Sequence, residues 1–384
     1  MQFFTSINKL GILGGGQLGK MLLYNTRKFD VYTCVLDPSD DAPSKLACNE
    51  FYKGDLMDFE TVYNFGKKVN ILTIEIENVN TKALKNLEEE GIKVYPSSET
   101  LEIIQNKAKQ KSFYKKNNLP TAPFKKYLDK IELENAVLMG VEKVPFVWKS
   151  AKFGYDGNGV KIIRSKSDTR ELPNVECIAE EYIPFNKEIS VIVARNLKGE
   201  TSTYPVVEME FHSEANQVEY VICPARISKS IAEKATSLAV NVSQKFNHIG
   251  LLAVEMFVTN DNDILINEVA PRPHNSGHQT IEANYTSQFE QHLRAILNLP
   301  LGSTENKLCS VMVNLVGSEG HNGPVVYENI EKILSFDGVT PHIYGKKNTR
   351  PFRKMGHVTI VNSSIEKAKK IAKKIKESVK IISK

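Results

Sequence analysis

The stretch GILGGGQLGK, residues 11–20, constrains the architecture of this chain more than any other ten residues. It carries Gly14-x-Gly16-x-x-Gly19 between an apolar, strand-like run and QLGKMLLYN, which reads as a helix. A turn this tight needs glycine where a side chain would clash, and it leaves N–H donors at the helix N-terminus. Asp37 stands eighteen residues after Gly19, at the end of the apolar run VYTCVL. That spacing is the fingerprint of a βαβ unit that binds a dinucleotide, with an acid for the ribose. The runs KLGIL, VYTCVL, NILTIEI and IKVYP alternate with helical patterns at 17–28, 58–67 and 81–90. The alternation predicts a parallel sheet with helices on its faces.

Beyond residue 98 the texture changes. YPSSE marks a boundary, with Ser98 placed to cap one long helix over 99–117. From about 121 to 270 strands dominate, among them PFVWKS, GVKII, ECIAEEYI, EISVIVAR, TYPVVEMEF, LLAVEMFVT and DILINEVA. Helices are expected near 228–246 and 280–298, and NLPLGST is a second boundary. The expected organisation is a Rossmann-like domain over 1–98, a mixed domain over 99–297 and a small mixed domain over 298–384, of α/β and α+β class.

A chain of 384 residues, 41% hydrophobic and 25% charged, has the composition of ordinary globular cores. No uncharged apolar run approaches the roughly 18–20 residues that span a bilayer, and no secretory signal is evident. Five cysteines at 34, 48, 177, 223 and 309 lack any C-x-x-C spacing, which favours reduced thiols in the cytoplasm. The net charge of +5 is local: the last 22 residues hold eight Lys and two Glu, and removing that surplus of six leaves −1. Within them Ile365, Ala368, Ile371, Ala372, Ile375 and Val379 recur at helical spacing. A surface helix with a solvated lysine face follows, and neither a nucleic-acid nor a membrane partner is expected.

FVWKSAKFGYDGNGVKII places Lys149 near the end of a strand, then GYDGNG, then another strand. Asp-Gly and Asn-Gly alone would make a hairpin turn. Three glycines in six residues also let backbone N–H groups close over an anion, with Lys149 supplying charge for a polyphosphate. CIAEEYI can read adenine through an extended backbone, with Glu188 in KEIS near the ribose hydroxyls. In LLAVEMFVTNDNDILINEVAPRPHNSGH two strands flank a turn read as Asp261-Asn262, which sets Glu255 opposite Glu268. Such carboxylates have Cβ atoms about 4.5–5.5 Å apart and repel unless they share a proton or hold a cation. An oxygen-only site of this kind suits Mg²⁺ completed by substrate phosphates; an exposed edge pair is the bland alternative. His274 and His278 are better read as hydrogen-bonding groups in a loop than as zinc ligands, and Trp148 as core.

Lysine, glycine flap, adenine-reading strand and paired carboxylates, in that order, resemble the ATP-grasp superfamily. GILGGGQLGKML, EIENV, GYDGNG, INEVAPRPHNSGH and RKMGHVTI together resemble its 5-(carboxyamino)imidazole ribonucleotide synthetase family over nearly the whole chain. The resemblance implies an ATP-grasp domain at 99–297 behind a pre-ATP-grasp domain. It also implies ATP-dependent carboxylation of aminoimidazole ribonucleotide by bicarbonate, through carboxyphosphate, in a homodimer. Hand-over of the unstable product to a mutase is left open.

By the same resemblance ATP meets Lys107, Lys149, the flap Gly154, Tyr155, Asp156, Gly157, Asn158, Gly159 and Val160, then Glu180, Glu181, Tyr182, Ile183, Glu188, His212, Asn267 and Glu268. Mg²⁺ lies on Glu255 and Glu268. The ribonucleotide meets Gly16, Gln17, Glu75, Arg272, Asn275, Lys346, Arg353 and Lys354. Asp156, with Arg272 and Lys354, is assigned to catalysis, Asp156 positioning or deprotonating the amine. Three positions depart from the family pattern: Lys107 for the usual Arg, Ile76 for the usual Phe, and Ala270 where many ATP-grasp enzymes have a third metal ligand, Asn. The N-terminal glycine turn is expected to hold the ribonucleotide's phosphate rather than a dinucleotide, and Asp37 lies near the ribose or serves the turn before Pro38. Two rivals remain: another ATP-grasp ligase, such as a formate-dependent glycinamide ribonucleotide transformylase, and a nonenzymatic nucleotide-binding regulator.

Overall fold

The structure is a computed structural model that describes residues 8–152, 159–212 and 217–384. β1 (Lys9–Leu13) leads through Gly14, at φ +96°, into α1 (Gln17–Lys28). β2 (Tyr32–Asp37), β3 (Glu50–Lys53), α2 (Phe59–Gly66), β4 (Ile71–Ile74), α3 (Thr81–Glu89) and β5 (Lys93–Tyr95) follow. The parallel sheet runs β3-β2-β1-β4-β5. Apolar runs fill its middle because both faces are covered by helices. β3, sequence EFYK, escaped the sequence reading because its half-exposed residues form no apolar run. The order reverses direction between β1 and β4, so the glycine turn and the residues after β4 flank one crevice.

The single helix expected over 99–117 is instead α4 (Ser98–Ile104), capped by Ser97, and α5 (Lys107–Lys116). Asn106 breaks it: its side chain accepts from the Lys109 N–H, which starts a new helix with Lys107 in its first turn. β6 (Phe124–Tyr127), α6 (Lys130–Leu138), β7 (Phe146–Ser150), β8 (Val160–Ile163) and β9 (Cys177–Glu181) form a small sheet ordered β6-β9-β7-β8 with α6 against it. α6 went unread because its apolar residues surround the helix while only Leu133 and Val137 are buried.

β10 (Phe185–Arg195), β11 (Thr201–Thr203), β12 (Val207–Phe211), β13 (Val218–Cys223), α7 (Lys229–Lys245), β14 (Gly250–Thr259) and β15 (Ile264–Ala270) build the large sheet. The helix expected near 280–298 divides into α8 (Thr280–Ala283) and α9 (Gln288–Ile296), since Ser287 caps a new start by accepting from the Glu290 N–H. β16 (Cys309–Val316), β17 (Gly323–Glu328), α10 (Ile330–Ile333), β18 (Val339–Ile343), β19 (Asn348–Thr349), β20 (Lys354–Asn362), α11 (Ile365–Ser378) and β21 (Lys380–Ser383) complete the chain. The large sheet runs β15-β14-β10-β12-β13-β16-β20-β18, so the β13–β16 ladder carries it across residues 298–308. α11 buries Ala368, Ala372 and Ile375 against this extension. Among the described residues no helix is long and apolar enough to cross a membrane.

Candidate active site

Along β10, β14 and β15 one face of the large sheet is apolar, and the other carries carboxylates beyond an apolar patch of Ile192, Ala194, Leu251 and Ala253. Ile189, Val191, Val254, Met256, Ile264, Ile266 and Val269 pack in one core cluster with residues of α7. Strict alternation along β15 would turn residue 268 into that core. The register shifts at Asn267, a bulge, so Asn267 and Glu268 both leave the core and Val269 returns to it. The bulge also corrects the expected turn. The hairpin closes at Thr259 and Asp263 around a three-residue loop with Asn262 at φ +64°. A regular ladder from that loop would oppose Glu255 to Asn267; the extra residue restores Glu255 opposite Glu268.

Three carboxylates share this face: Glu188 of β10, Glu255 of β14 and Glu268 of β15. Lys107 forms an ion pair with Glu268 and holds its carboxyl down, to about 2, against burial. Burial, then the charges of Glu268 and Glu188, push Glu255 well above the carboxylate range. Burial and Glu268 raise Glu188 to about 7. The Glu255 carboxylate finds His274 Nε2 at 3.2 Å. Among the described residues no three His, Cys, Asp or Glu side chains form a ready metal centre. Glu255 and Glu268, opposed across the ladder and repelling each other, fit a hard divalent cation that takes its other oxygens from a phosphate ligand.

Lys149, in β7, faces the same space from the small sheet. It is 7% exposed, donates to Asn267 Oδ1 at 2.9 Å and pairs with Glu180 at 2.9 Å. Lys111 of α5 reaches the other oxygen of Glu180 at 3.1 Å. Sequence reasoning missed Lys111, although it lies one turn from Lys107 on the same helix face. Glu181 is exposed, and Tyr182 and Ile183 are half-buried where β9 leads to β10. Gly159 precedes β8 and Val160 opens it, whereas Gly154, Tyr155, Asp156, Gly157 and Asn158 lie outside the described residues. His212 follows β12, its ring 5.9 Å from that of Phe352.

The second pocket lies at the crevice of the parallel sheet. Glu75 follows β4 directly and its carboxylate accepts from the N–H groups of Gly16 (3.0 Å), Leu18 (3.1 Å) and Gly19 (3.0 Å). Asp37 accepts from Gly15 N–H at 2.7 Å and serves the turn through Ser39 N–H. These internal acids occupy the donors that were expected to hold the substrate phosphate through Gly16. The reason is positional: a carboxylate at the end of β4 reaches the helix N-terminus and gains its partial charge. Burial raises the Glu75 carboxyl, and the Gly19 and Gly16 N–H groups oppose the rise.

Arg272, just past β15, holds Glu77 at 2.8 Å and contributes positive charge at Glu75. The hairpin before β20 reaches over α1, where Lys20 donates to the carbonyl of Ile343 at 3.0 Å. It carries Lys346, whose ammonium donates to the Lys354 carbonyl, and Arg353, which donates to the Asn348 carbonyl. The charge of Lys354 is felt at both Glu255 and His278. Gln17 starts α1 beside this pocket, while the Asn275 amide exchanges two hydrogen bonds of 3.0 Å with Asn314. Trp148 is buried core, and His274 and His278 border a short 3₁₀ turn.

Against this geometry, three family models match in order: the ribonucleotide synthetase preATP-grasp domain over 7–105, the ATP-grasp domain over 112–289 and the phosphoribosylaminoimidazole carboxylase C-terminal domain over 310–371. The chain is 38% identical to the N5-carboxyaminoimidazole ribonucleotide synthase of Bacillus subtilis, covering 92% of this chain and 91% of that protein. It superposes on the crystal structure of the Thermotoga maritima synthetase with a TM-score of 0.90 at 42% identity, covering 98% and 100% of the two chains. The Aspergillus clavatus synthase, solved with ADP and 5-aminoimidazole ribonucleotide, gives 0.87 at 33% identity, covering 96% and 98%. The chain spans 67% and 65% of the longer phosphoribosylaminoimidazole carboxylases of Ogataea methanolica and Candida glabrata, at 36% and 35% identity.

Proposed function

The chain belongs to the N5-carboxyaminoimidazole ribonucleotide synthase family of ATP-grasp ligases, and we propose from that premise how its two pockets divide the reaction. The reaction is the ATP-dependent carboxylation of 5-aminoimidazole ribonucleotide by bicarbonate in purine biosynthesis, with release of ADP and phosphate. A bicarbonate oxygen attacks the γ-phosphorus, breaking its bond to the β-phosphate bridge and giving carboxyphosphate. Carboxyphosphate separates into phosphate and CO₂, the amine nitrogen bonds to the CO₂ carbon, and a proton leaves that nitrogen.

The observation that carries the reading is the meeting of Lys107, Lys149, Glu255 and Glu268 beside the Glu75–Arg272–Lys354 pocket, with β15 contributing to both. Lys107 and Lys149 neutralise polyphosphate, and Glu188, which accepts from Asn267, serves the ribose. Mg²⁺, when bound, supplies charge neutralisation of the phosphates from Glu255 and Glu268. In the second pocket Glu75, fixed by three N–H donors, accepts hydrogen bonds from the aminoimidazole. Lys346, Arg353 and Lys354, rather than the glycine turn, supply charge for its phosphate. Asp156 positions or deprotonates the amine. Five free cysteine side chains support a reducing, cytoplasmic setting. The homodimer and hand-over to a mutase rest on family likeness alone, and a monomer in sedimentation equilibrium would remove the former.

Phosphate release tests the reading. It is expected to need ATP, bicarbonate and aminoimidazole ribonucleotide together for full rate. Full turnover without bicarbonate, or nucleotide binding with no phosphate release under any combination, would contradict it.

A further inference from the structure

α5 carries two lysines one turn apart, and they bind different sheets. Lys107 pairs with Glu268 on β15 of the large sheet; Lys111 pairs with Glu180 on β9 of the small one. Lys111 is 2% exposed, a rare position for an ammonium group. Besides its ion pair with Glu180 it donates to Thr121 Oγ1 at 2.5 Å, and Thr121 donates to the carbonyl of Ile266 at 2.7 Å, next to the bulge. Glu180 is itself 3% exposed and has Lys149 on its other oxygen at 2.9 Å. Burial alone would raise its carboxyl, but Lys149 and then Lys111 bring it below the usual range. Glu180 is therefore an anion shared between two buried cations.

A Glu180–Lys149 pair without Lys111 would be neutral, and the full charge of Glu180 would face Lys149. With Lys111 on the second oxygen the trio carries a net positive charge, and Lys149 keeps attraction to spare for another anion. Lys111 is too buried to be a ligand contact in its own right.

We propose that Lys111 is a positioning residue for the nucleotide: by sharing Glu180 it leaves the Lys149 ammonium with charge to spare for phosphate. The proposal rests on the reading that Lys149 meets the nucleotide's phosphates. A merely structural Lys111 would tie α5 to β9 and affect every nucleoside ligand alike.

The test compares ADP with uncharged adenosine by calorimetry on the full chain. Lys111→Met is expected to weaken ADP on the order of ten-fold while adenosine changes little. Adding Glu180→Gln removes the carboxylate that captures Lys149, so the ADP-to-adenosine affinity ratio should recover towards wild type. Equal losses of ADP and adenosine in Lys111→Met, or no recovery of the ratio in the double variant, would overturn the proposal. Should Lys111→Met fail to fold, the wild-type ratio is followed from about pH 7 to 9.5. Burial lowers Lys111 to about 8, below an ordinary lysine at about 10.4, while Glu180, Lys149 and Lys107 are the charged groups that face it. The ratio should fall through that range, and a flat ratio contradicts the proposal. Wild-type protein that binds no ADP would defeat the nucleotide site itself rather than the role of Lys111.

Discussion

Glu255 and Glu268 were legible because their cost was legible: two like charges across a ladder need a partner, whatever the fold. The structure gives them unequal partners, Lys107 on Glu268 and His274 on Glu255. Replacing Glu268 by Gln relieves the repulsion but removes one charge from the proposed cation site and unpairs Lys107. Glu268→Gln is expected to lose turnover by more than roughly 100-fold with an unchanged circular-dichroism spectrum. Asp156→Asn is the contrast, losing product formation far more than ATP affinity. Near wild-type phosphate release in Glu268→Gln, or equal losses of both quantities in Asp156→Asn, would displace those assignments. Lys111 was not legible in this way. A lysine reads as surface by default, and only a fold shows that its helix face points between two sheets.

At the scale of elements, the glycine turn and the nearby acid were each visible in the sequence, but their relation was not. Glu75 follows β4, and only the strand order β1-β4 sets it across the crevice from Gly16. A donor-rich helix N-terminus reads as a phosphate site in sequence, and in the structure its N–H groups meet the chain's own Glu75. The break at Asn106 and the bulge at Asn267 were missed for a similar reason: each is a one-residue change of phase inside an otherwise periodic pattern. A Cβ on Gly16 would stand 2.6 Å from Glu75 Oε1, closer than atoms allow, although the backbone φ of −73° is open to any residue. Gly16→Val should dislodge the Glu75 carboxylate and weaken aminoimidazole ribonucleotide several-fold to tens-fold. ADP affinity should be unchanged in the same calorimeter. Loss of ADP with the ribonucleotide retained would reverse the assignment of the two pockets.

Across the whole molecule, the large sheet binds the central and C-terminal parts into one ladder, which a sequence boundary at NLPLGST could not reveal. Buried histidines add a global pH dependence. Burial pushes His248 down to about 4 and His292 to about 3, and His278 and His357 well below the ordinary value. A base held neutral in the fold takes up a proton on unfolding below about pH 6.5, so these four groups withdraw stability as the pH falls. Glu255, Glu188 and Glu75, raised in the fold, act oppositely, withdrawing stability as the pH rises above about 4.3 towards their folded values. Four histidines against three carboxyls leave the histidines ahead, so stability should fall from pH 6 to pH 5. Urea midpoints at those pH values check this, and a flat or rising midpoint would contradict it. The most direct test of the central claim is the fate of the carbon. With ¹³C-bicarbonate, ATP and aminoimidazole ribonucleotide, the label should appear on the exocyclic nitrogen of the product, one phosphate being released per label transferred. Formate supporting equal phosphate release, or phosphate released with no label on that nitrogen, would contradict the account.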